Sequence, residues 1–481
     1  MIRYTLSVPQ PSSRLLHLEM YVTGITTDSL MLQLPAWRPG RYELQHFAKN
    51  IQRFEVIDSN NQPVAYQKVT KDRWVLQTSG CSALRVCYTY YANKQDAGNS
   101  YVDDTMLYVN FVNCLPYIEG RMHEPHQVAL QIPEDYRVAC GLNQIEKHVL
   151  QASDYYQLVD SPMLASAHLQ HDSYQCGNTT FHCWFLGDYE PDFSKLKRDF
   201  KRFTEAQIQA FGEFPETEYH FLNWMLPTAF YHGVEHRNST MIVLGPAMEG
   251  DGLYLDLLGV SSHELYHTWN ICRIRPVEMV PYDFTKENYF STGFVAEGVT
   301  TYMGDLFLVQ SGVFSLDDYL KELGTTLKRH FEKDGRAWQS LAESSFDLWL
   351  DGYVAPVPNR RVSIYNKGAV IALLLDLHLR RHSDHTVTLH SLMQQMWAQY
   401  GKPFVGYSLD DYLRVAEQVV GSSLDWYKTT CVLGNQPLET LLNSYLAWVG
   451  LQLDWDESNV YSLRVFNEQN PNLRRWLCLP Q

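Results

Sequence analysis

The first third of the chain carries the alternation of apolar and polar side chains that is typical of β-strands. The clearest alternating or β-rich segments are Tyr4–Val8, Leu16–Val22, Ser29–Leu34 and Arg85–Tyr91, and turn residues separate them. No long helical period interrupts this pattern. The sequence therefore predicts a β-sandwich-like domain over residues 1–165.

The periodicity changes after residue 165. Asp192–Phe211 repeats apolar residues at helical spacing, and Gly212 is expected to end that helix. Two apolar segments that follow, Glu218–Leu226 and Met241–Leu244, are typical of strands. The polar stretch between them is expected at the edge of the same sheet.

The remainder of the chain is predominantly helical in its pattern. Residues 310–430 are predicted to form helices, Leu438–Gly450 a further helix, and Leu451–Val465 an antiparallel pair of strands. We therefore expect an α+β multidomain protein. Its second domain covers residues 166–430 and has a helical C-terminal half, and residues 431–481 form a short tail.

One run of five residues carries specific chemistry. His263-Glu264-Leu265-Tyr266-His267 has the form H-E-x-x-H. Two histidines four residues apart lie on the same face of a helix, so that both imidazoles can bind one zinc ion. The glutamate between them points away from the ligand pair and can act as a base on a water molecule that the metal activates.

A zinc site of this type needs a third protein ligand. A metzincin would have glycine at position 270 and histidine at position 273, but the chain has Asn270 and Arg273. Two glutamates that follow, Glu287 and Glu297, are candidates. Glu287 lies in a polar, loop-like segment, whereas Glu297 lies in an apolar run where an unpaired carboxylate would be costly. We therefore favour Glu297.

Composition excludes some classes of function. The net charge is −15 and no basic block is present, so nucleic acid is not expected as a partner. No apolar run is long enough to cross a membrane, and the N-terminus does not resemble a signal peptide. The nine cysteines form no C-x-x-C pair and are expected as free thiols. Together these features favour a cytoplasmic protein.

Two longer segments carry a family resemblance. HELYHTWNICRIRP, residues His263–Pro276, and FVAEGVTTY, residues Phe294–Tyr302, resemble the glycyl aminopeptidase family of gluzincin zinc metallopeptidases. Cys272 stands where that family usually has lysine. In the first domain, LPAWRPGRY looks like the W-x-P-G-x-Y hallmark of the same family, although a structural turn with a packed Trp37 is the preferred interpretation of that motif.

The resemblance implies roles for further residues and a thermolysin-like fold for the second domain. Gly233-Val234-Glu235-His236 is similar to the family's G-x-E-H, with His232 replacing a preceding glycine. Gly233 would let a peptide backbone approach closely, and Glu235 would bind its free α-amine. The alternative for Glu235 is a surface charge pair with Arg237 or His236.

A second motif, Tyr365-Asn366-Lys367-Gly368, is similar to the family's Y-x-K-G. The resemblance implies that the Tyr365 hydroxyl stabilises the oxyanion of the reaction. An ordinary tyrosine at the start of a helix is the alternative. Relatives commonly carry a PDZ domain after the catalytic domain, but residues 431–481 are too few for a complete one.

The sequence thus predicts a zinc aminopeptidase that holds one Zn²⁺ through His263, His267 and Glu297. Glu264 and Tyr365 are the expected catalytic residues, and Gly233 and Glu235 the expected substrate-binding residues. The resemblance implies peptide substrates with small N-terminal residues such as glycine or alanine. An endopeptidase of the same chemistry and a non-catalytic peptide-binding protein that keeps the metal are the alternatives, and the oligomeric state is left open.

Overall fold

The N-terminal part of the chain is built almost entirely of β-strands. The computed structural model describes residues 2–246, 250–354 and 357–479. Up to residue 166 the described part contains one short α-helix, α1 (Tyr155–Val159), three short 3-10 helices and fifteen strands: β1 Ile2–Ser7, β2 Leu15–Thr23, β3 Ser29–Gln33, β4 Ile51–Asp58, β5 Tyr66–Thr70, β6 Arg73–Gln77, β7 Ala83–Tyr91, β8 Tyr101–Val102, β9 Leu107–Val109, β10 Tyr117–Ile118, β11 His126–Gln131, β12 Arg137–Cys140, β13 Asn143–Glu146, β14 Val149–Ala152 and β15 Met163–Ser166.

These strands form layered sheets. A seven-stranded sheet has the order β13-β14-β11-β1-β2-β7-β4, and two four-stranded sheets have the orders β10-β3-β6-β5 and β12-β15-β9-β8. Phe54 of the large sheet stacks on Trp74 of the second sheet, with 4.9 Å between the ring centroids. The alternating segments of the sequence correspond to β1, β2, β3 and β7, which confirms the prediction of a β-rich N-terminal domain.

A separate five-stranded sheet follows, with one helix before and one helix after its last three strands. Its elements are β16 Gln170–Cys176, β17 Thr179–Gly187, α2 Phe193–Phe211, β18 Glu218–Met225, β19 Phe230–Glu235, β20 Ser239–Gly245 and α3 Gly250–Tyr266. The strand order is β16-β17-β18-β20-β19, so β19 lies at the edge as expected. Asp192 caps α2 and Gly212 ends it in a left-handed conformation.

Helices make up most of the remaining chain. They are α4 Thr300–Gln310, α5 Leu316–Phe331, α6 Leu341–Phe346, α7 Leu348–Asp351, α8 Asn366–His382, α9 Leu389–Met396, α10 Leu409–Val420, α11 Glu439–Leu446 and α12 Pro471–Leu477. The hairpin β21 Leu451–Trp455 and β22 Tyr461–Val465 confirms the predicted antiparallel pair. The structure adds α12, which the sequence pattern did not indicate.

The whole architecture confirms the predicted α+β class, whereas the exact division into residues 1–165, 166–430 and 431–481 stays a prediction. All nine cysteines are free thiols, as expected. Within the described ranges, no helix has the combined length and apolar character that a bilayer crossing requires.

Candidate active site

The two histidines of the H-E-x-x-H run lie at the C-terminal end of α3. His263 belongs to the last turn of the helix, and His267 follows its final residue. The backbone N–H of His267 still donates to the His263 carbonyl at 3.3 Å, so the helical spacing continues through the second histidine. As a result the two Nε2 atoms are 3.0 Å apart.

Glu297 completes this group from a separate segment. Its Oε2 atom lies 3.3 Å from Nε2 of His267 and 3.8 Å from Nε2 of His263. Glu297 belongs to a π-helix, Phe294–Val299, directly before α4. Such π-turns are rare and concentrate at functional sites. Glu287 lies in no helix or strand and is not part of this group, so the structure places the favoured glutamate, not its rival, beside the histidines.

Asn270 holds the two segments in register. Its side-chain amide donates to the Val295 carbonyl at 2.7 Å and to Oγ1 of Thr300 at 2.9 Å. Its backbone carbonyl lies 2.9 Å from Nδ1 of His267. A proton on Nδ1 satisfies that carbonyl and leaves the Nε2 lone pair for a metal, which is the usual arrangement around ligating histidines.

The electrostatics of the group favour a bound cation. Burial raises the pKa of Glu264 well above its usual range; His267 opposes this rise, and Glu235 and Glu297 add to it. Burial alone would raise the pKa of Glu297. The charge of His267 and the hydrogen bonds from both histidines outweigh burial, so the pKa of Glu297 is lowered. Three buried carboxylates thus surround two imidazoles. Two imidazoles and one carboxylate are a donor set that zinc accepts in catalytic sites.

A second cluster of possible ligands fits a metal poorly. His182, Glu218 and His220 lie close together on adjacent strands. The rings of the two histidines are stacked with an angle of 16° between them, so their nitrogen lone pairs do not converge. The Trp184 indole N–H donates to Nδ1 of His220 at 3.2 Å, which leaves the proton of the neutral ring on Nε2.

Glu235 lies at the end of the edge strand β19 and faces inward. It is only 6% exposed, and possible ligand atoms of Glu235, Glu264 and His267 lie within 4.8 Å of one another. Its two neighbours in sequence turn to Asp160 instead: Nδ1 of His236 is 3.0 Å from Oδ1 of Asp160, and the Arg237 backbone N–H donates to Oδ2. Glu235 therefore does not form the surface charge pair with Arg237 or His236 that was the alternative.

Gly233 lies against the zinc-motif helix. A Cβ atom on Gly233 would be 2.2 Å from Oε1 of Glu264 and 2.8 Å from a methyl group of Val260. Gly233 therefore permits a close approach to Glu264, and its role towards a peptide backbone stays a prediction. The adjacent His232 turns towards the N-terminal sheets, where its Nδ1 accepts a hydrogen bond from the Ala97 backbone N–H at 3.3 Å.

Tyr365 precedes the first residue of α8 and is brought to the site by a close helix crossing. A Cβ atom on Gly298 would lie 2.4 Å from Cα of Gly368, so the π-helix and α8 are in backbone contact. Burial raises the pKa of Tyr365 well above its usual range, and Glu297 adds to the rise. The phenol is therefore protonated and able to donate at neutral pH.

A cleft of about 480 Å³ unites these groups. All seven site residues predicted from the sequence line it: Gly233, Glu235, His263, Glu264, His267, Glu297 and Tyr365. Sequence reasoning missed other lining residues, among them Gly40, Tyr231, Asp305 and Glu322. Two of these residues could have been identified from the sequence. Gly40 is the glycine of the W-x-P-G-x-Y motif, and Asp305 is a charged residue in an apolar helix.

Comparisons with known proteins agree with this geometry. Residues 3–167 match the model of the Peptidase M61 N-terminal domain, and residues 256–371 match that of the M61 glycyl aminopeptidase. The chain has no match among the curated proteins with which it was compared.

Among solved structures, the chain is similar to the aminopeptidase N family protein of Idiomarina loihiensis. Their sequences are 30% identical, the TM-score is 0.89, and the match covers 95% of this chain and 79% of the other. The M1 zinc metallopeptidase of Deinococcus radiodurans shares the fold, with 15% identity, a TM-score of 0.54, and coverage of 91% of this chain and 94% of the other. The chain therefore belongs to the M61 glycyl aminopeptidase family and is a peptidase of the aminopeptidase class.

Proposed function

We propose that the protein removes the N-terminal residue from peptides with one zinc ion held by His263, His267 and Glu297. The convergence of their three donor atoms carries this proposal, since Nε2 of His267 lies 3.0 Å from Nε2 of His263 and 3.3 Å from Oε2 of Glu297. The spacing is close enough for one ion to bind all three. Zinc, when bound, supplies a Lewis acid and lowers the pKa of a coordinated water molecule.

Glu264 is proposed to move the proton. It is buried at the floor of the cleft, and its Oε2 atom has no hydrogen-bond partner among the described residues. The raised pKa of its carboxyl suits a group that takes a proton from the attacking water and passes it to the leaving nitrogen. Its other oxygen, Oε1, lies in the space that a side chain at position 233 would occupy, so glycine at that position leaves room for the carboxylate.

Tyr365 is proposed to donate a hydrogen bond to the oxygen on which negative charge develops. The residue lines the cleft together with Glu297 and Glu264. Its phenol is protonated at neutral pH, so that it can donate where charge appears. A donor fixed at a helix start costs little reorganisation during the reaction.

Glu235 is proposed to bind the α-ammonium group of the substrate. A buried carboxylate at a fixed distance from the scissile bond selects peptides with a free N-terminus by a charge-assisted hydrogen bond. Edge strand β19 can align the peptide backbone beside it. Glycine and alanine are the proposed first residues, in agreement with the description of the matching family as glycyl aminopeptidases.

Hydrolysis of matched peptides tests this proposal. Short peptides that begin with glycine or alanine are incubated with the protein in free and N-acetylated forms, with and without a chelator. Chelator-sensitive cleavage of the free peptides alone is the expected result. Equal cleavage of both forms would instead indicate an endopeptidase and remove the role of Glu235. A zinc-loaded protein that cuts neither would overturn the proposed activity.

A further inference from the structure

We infer that Gly40, which belongs to the N-terminal β region, closes the cleft beyond Glu235 and so determines which N-termini the enzyme accepts. The inference rests on the proposed role of Glu235 as the amine anchor. Gly40 lies in the turn Trp37–Tyr42, a different part of the molecule. It limits the space around the amine, whereas Glu235 supplies the charge that binds it.

Gly40 lies beside the Glu235 carboxylate, with no room for a side chain between them. A Cβ atom on Gly40 would lie 2.6 Å from Oε2 of Glu235 and 3.2 Å from its Cδ atom. Real Cβ atoms do not approach a carboxylate so closely. The backbone of Gly40 has a φ of +75°, which other residues adopt only with strain. Both the conformation and the contact therefore require glycine.

Gly40 forms part of the cleft wall beside Glu235. Among the described residues that line the cleft, Gly40 is the sole contribution from the part of the chain before residue 231. Two residues after Gly40, Tyr42 packs among aromatic rings. Tyr42 is 1% exposed, and its ring centroid is 5.0 Å from that of Phe290 and 6.0 Å from that of Trp349. A residue preceding the substrate's first one would run into this wall.

The turn is fixed to the catalytic part of the chain. The Trp37 indole N–H donates to the Asp283 carbonyl at 2.8 Å, and the Ala36 backbone N–H donates to the Phe284 carbonyl at 2.8 Å. Trp37 is fully buried and meets Trp349 edge-on at 5.1 Å. The packed tryptophan that the sequence predicted thus anchors the turn, and the anchored turn presents Gly40 to the cleft.

If Gly40 closes the cleft, peptides whose terminal amine carries extra atoms are expected to be cleaved poorly, even when the amine keeps its positive charge. Alanyl and N-methylglycyl peptides contain the same atoms and carry the same positive charge, but the second places its methyl group on the nitrogen. One misplaced methyl group in a tight site changes specificity by about tenfold or more. The structure therefore predicts that N-methylglycyl peptides are cleaved with a kcat/KM at least about tenfold below that of alanyl peptides.

The experiment measures kcat and KM of the zinc-loaded protein on glycyl, alanyl, N-methylglycyl and N-acetylglycyl versions of one peptide. Cleavage of the N-methylglycyl peptide within twofold of the alanyl peptide would overturn the end wall. A protein that fails on the glycyl and alanyl peptides, or cuts the acetylated one equally well, would instead refute the proposed aminopeptidase function. The two failures are thus distinguishable.

A variant pair tests the residue itself. Gly40→Ala is expected to raise KM for the glycyl peptide by about tenfold while kcat changes little, because the new methyl group displaces Glu235. Gly24→Ala is the control, since Gly24 has a similar φ of +68° but no atom within 4 Å of the added Cβ. Equal KM values for the two variants would refute the role of Gly40.

Discussion

Gly298 and Gly368 touch where the π-helix that carries Glu297 crosses the start of α8, which follows Tyr365. A Cβ atom on Gly368 would lie 2.7 Å from Cα of Gly298, and one on Gly298 would lie 2.8 Å from the Ile364 carbonyl oxygen. The two glycines belong to separate sequence motifs, E-G-x-T and Y-x-K-G. Their contact sets the distance between the proposed metal ligand and the proposed oxyanion donor.

The substitution Gly368→Ala is expected to separate these two helices. The new methyl group cannot fit, and overpacking of this kind costs typically about 1 to 3 kcal/mol. Because Tyr365 moves with α8, kcat is expected to fall more than the loss of folded protein explains. Gly324→Ala in α5 is the control, since its Cβ meets only Leu463 at an ordinary 3.7 Å. Thermal unfolding and kcat are measured on both variants, and equal kcat values would contradict the coupling.

Replacement of the proposed base gives a sharper test of chemistry. Glu264→Gln keeps the size of the side chain but removes its ability to accept a proton. General-base catalysis contributes about 10²- to 10⁴-fold, so kcat is expected to fall by that factor. Metal content, measured by elemental analysis, should remain that of the unaltered protein. Activity that survives this change would refute the mechanism.

The choice between the two candidate glutamates can be tested directly. Loss of an outer-shell partner typically weakens metal binding by about 10- to 100-fold. Glu297→Gln is expected to weaken zinc binding by more than that, because it removes a proposed ligand. Its oxygen lies 3.3 Å from Nε2 of His267, whereas Glu287 lies outside the group. Glu287→Gln is therefore the matched control. Competition with a chromogenic chelator measures both affinities, and equal values would remove Glu297 from the ligand set.

Much of this site could be predicted because its chemistry is local in sequence. His263, Glu264 and His267 are fixed by one helical spacing, and Glu297 by the cost of a carboxylate in an apolar run. The assignments of Glu235 and Tyr365 needed the family resemblance, because nothing in their local pattern distinguishes them from other buried glutamates and tyrosines. The structure brings both into the cleft.

Other features depend on contacts between distant segments and could not be predicted. The π-helix at Glu297 is in backbone contact with α8, and the apolar pattern of its residues does not distinguish a π-helix from an α-helix. Gly233 lines the cleft as the motif suggested, but its close approach to Glu264 on a separate segment is a contact that the motif does not indicate. Gly40 is nearly two hundred positions from Glu235 in sequence, so its place in the cleft depends on how the N-terminal sheets pack on the catalytic part.

The role of Tyr365 predicts a loss in kcat without a matching change in KM. Tyr365→Phe removes one hydrogen-bond donor and leaves the ring in place. Removal of a single oxyanion donor costs about 10²- to 10³-fold in kcat. Tyr353→Phe is the comparison, since Tyr353 is close enough to add to the rise in the pKa of Tyr365 but does not line the cleft among the described residues. Steady-state kinetics on a glycyl peptide should show the larger loss for Tyr365, and equal losses would assign the effect to packing.

Burial of Asp305 in the cleft is expected to make the free energy of unfolding depend on pH. Burial, with a contribution from Glu322, raises the pKa of Asp305 to about 7 in the folded protein. The ordinary aspartate pKa in an unfolded chain is about 3.9. The unfolded state therefore loses this proton more readily, and the folded state loses stability as the pH rises between these two values.

Asp305→Asn is accordingly expected to stabilise the protein, by an amount that grows from about pH 4 to pH 7 and then levels off. One pKa unit corresponds to about 1.4 kcal/mol, so a gain on the order of 2 to 4 kcal/mol is expected at pH 8. Denaturant unfolding of both proteins at pH 4, 6 and 8 measures it. The comparison at pH 4 is the control, because the carboxyl group is then largely protonated in the folded protein and about half protonated in the unfolded one. A gain that does not depend on pH would mean that Asp305 keeps an ordinary pKa in the cleft.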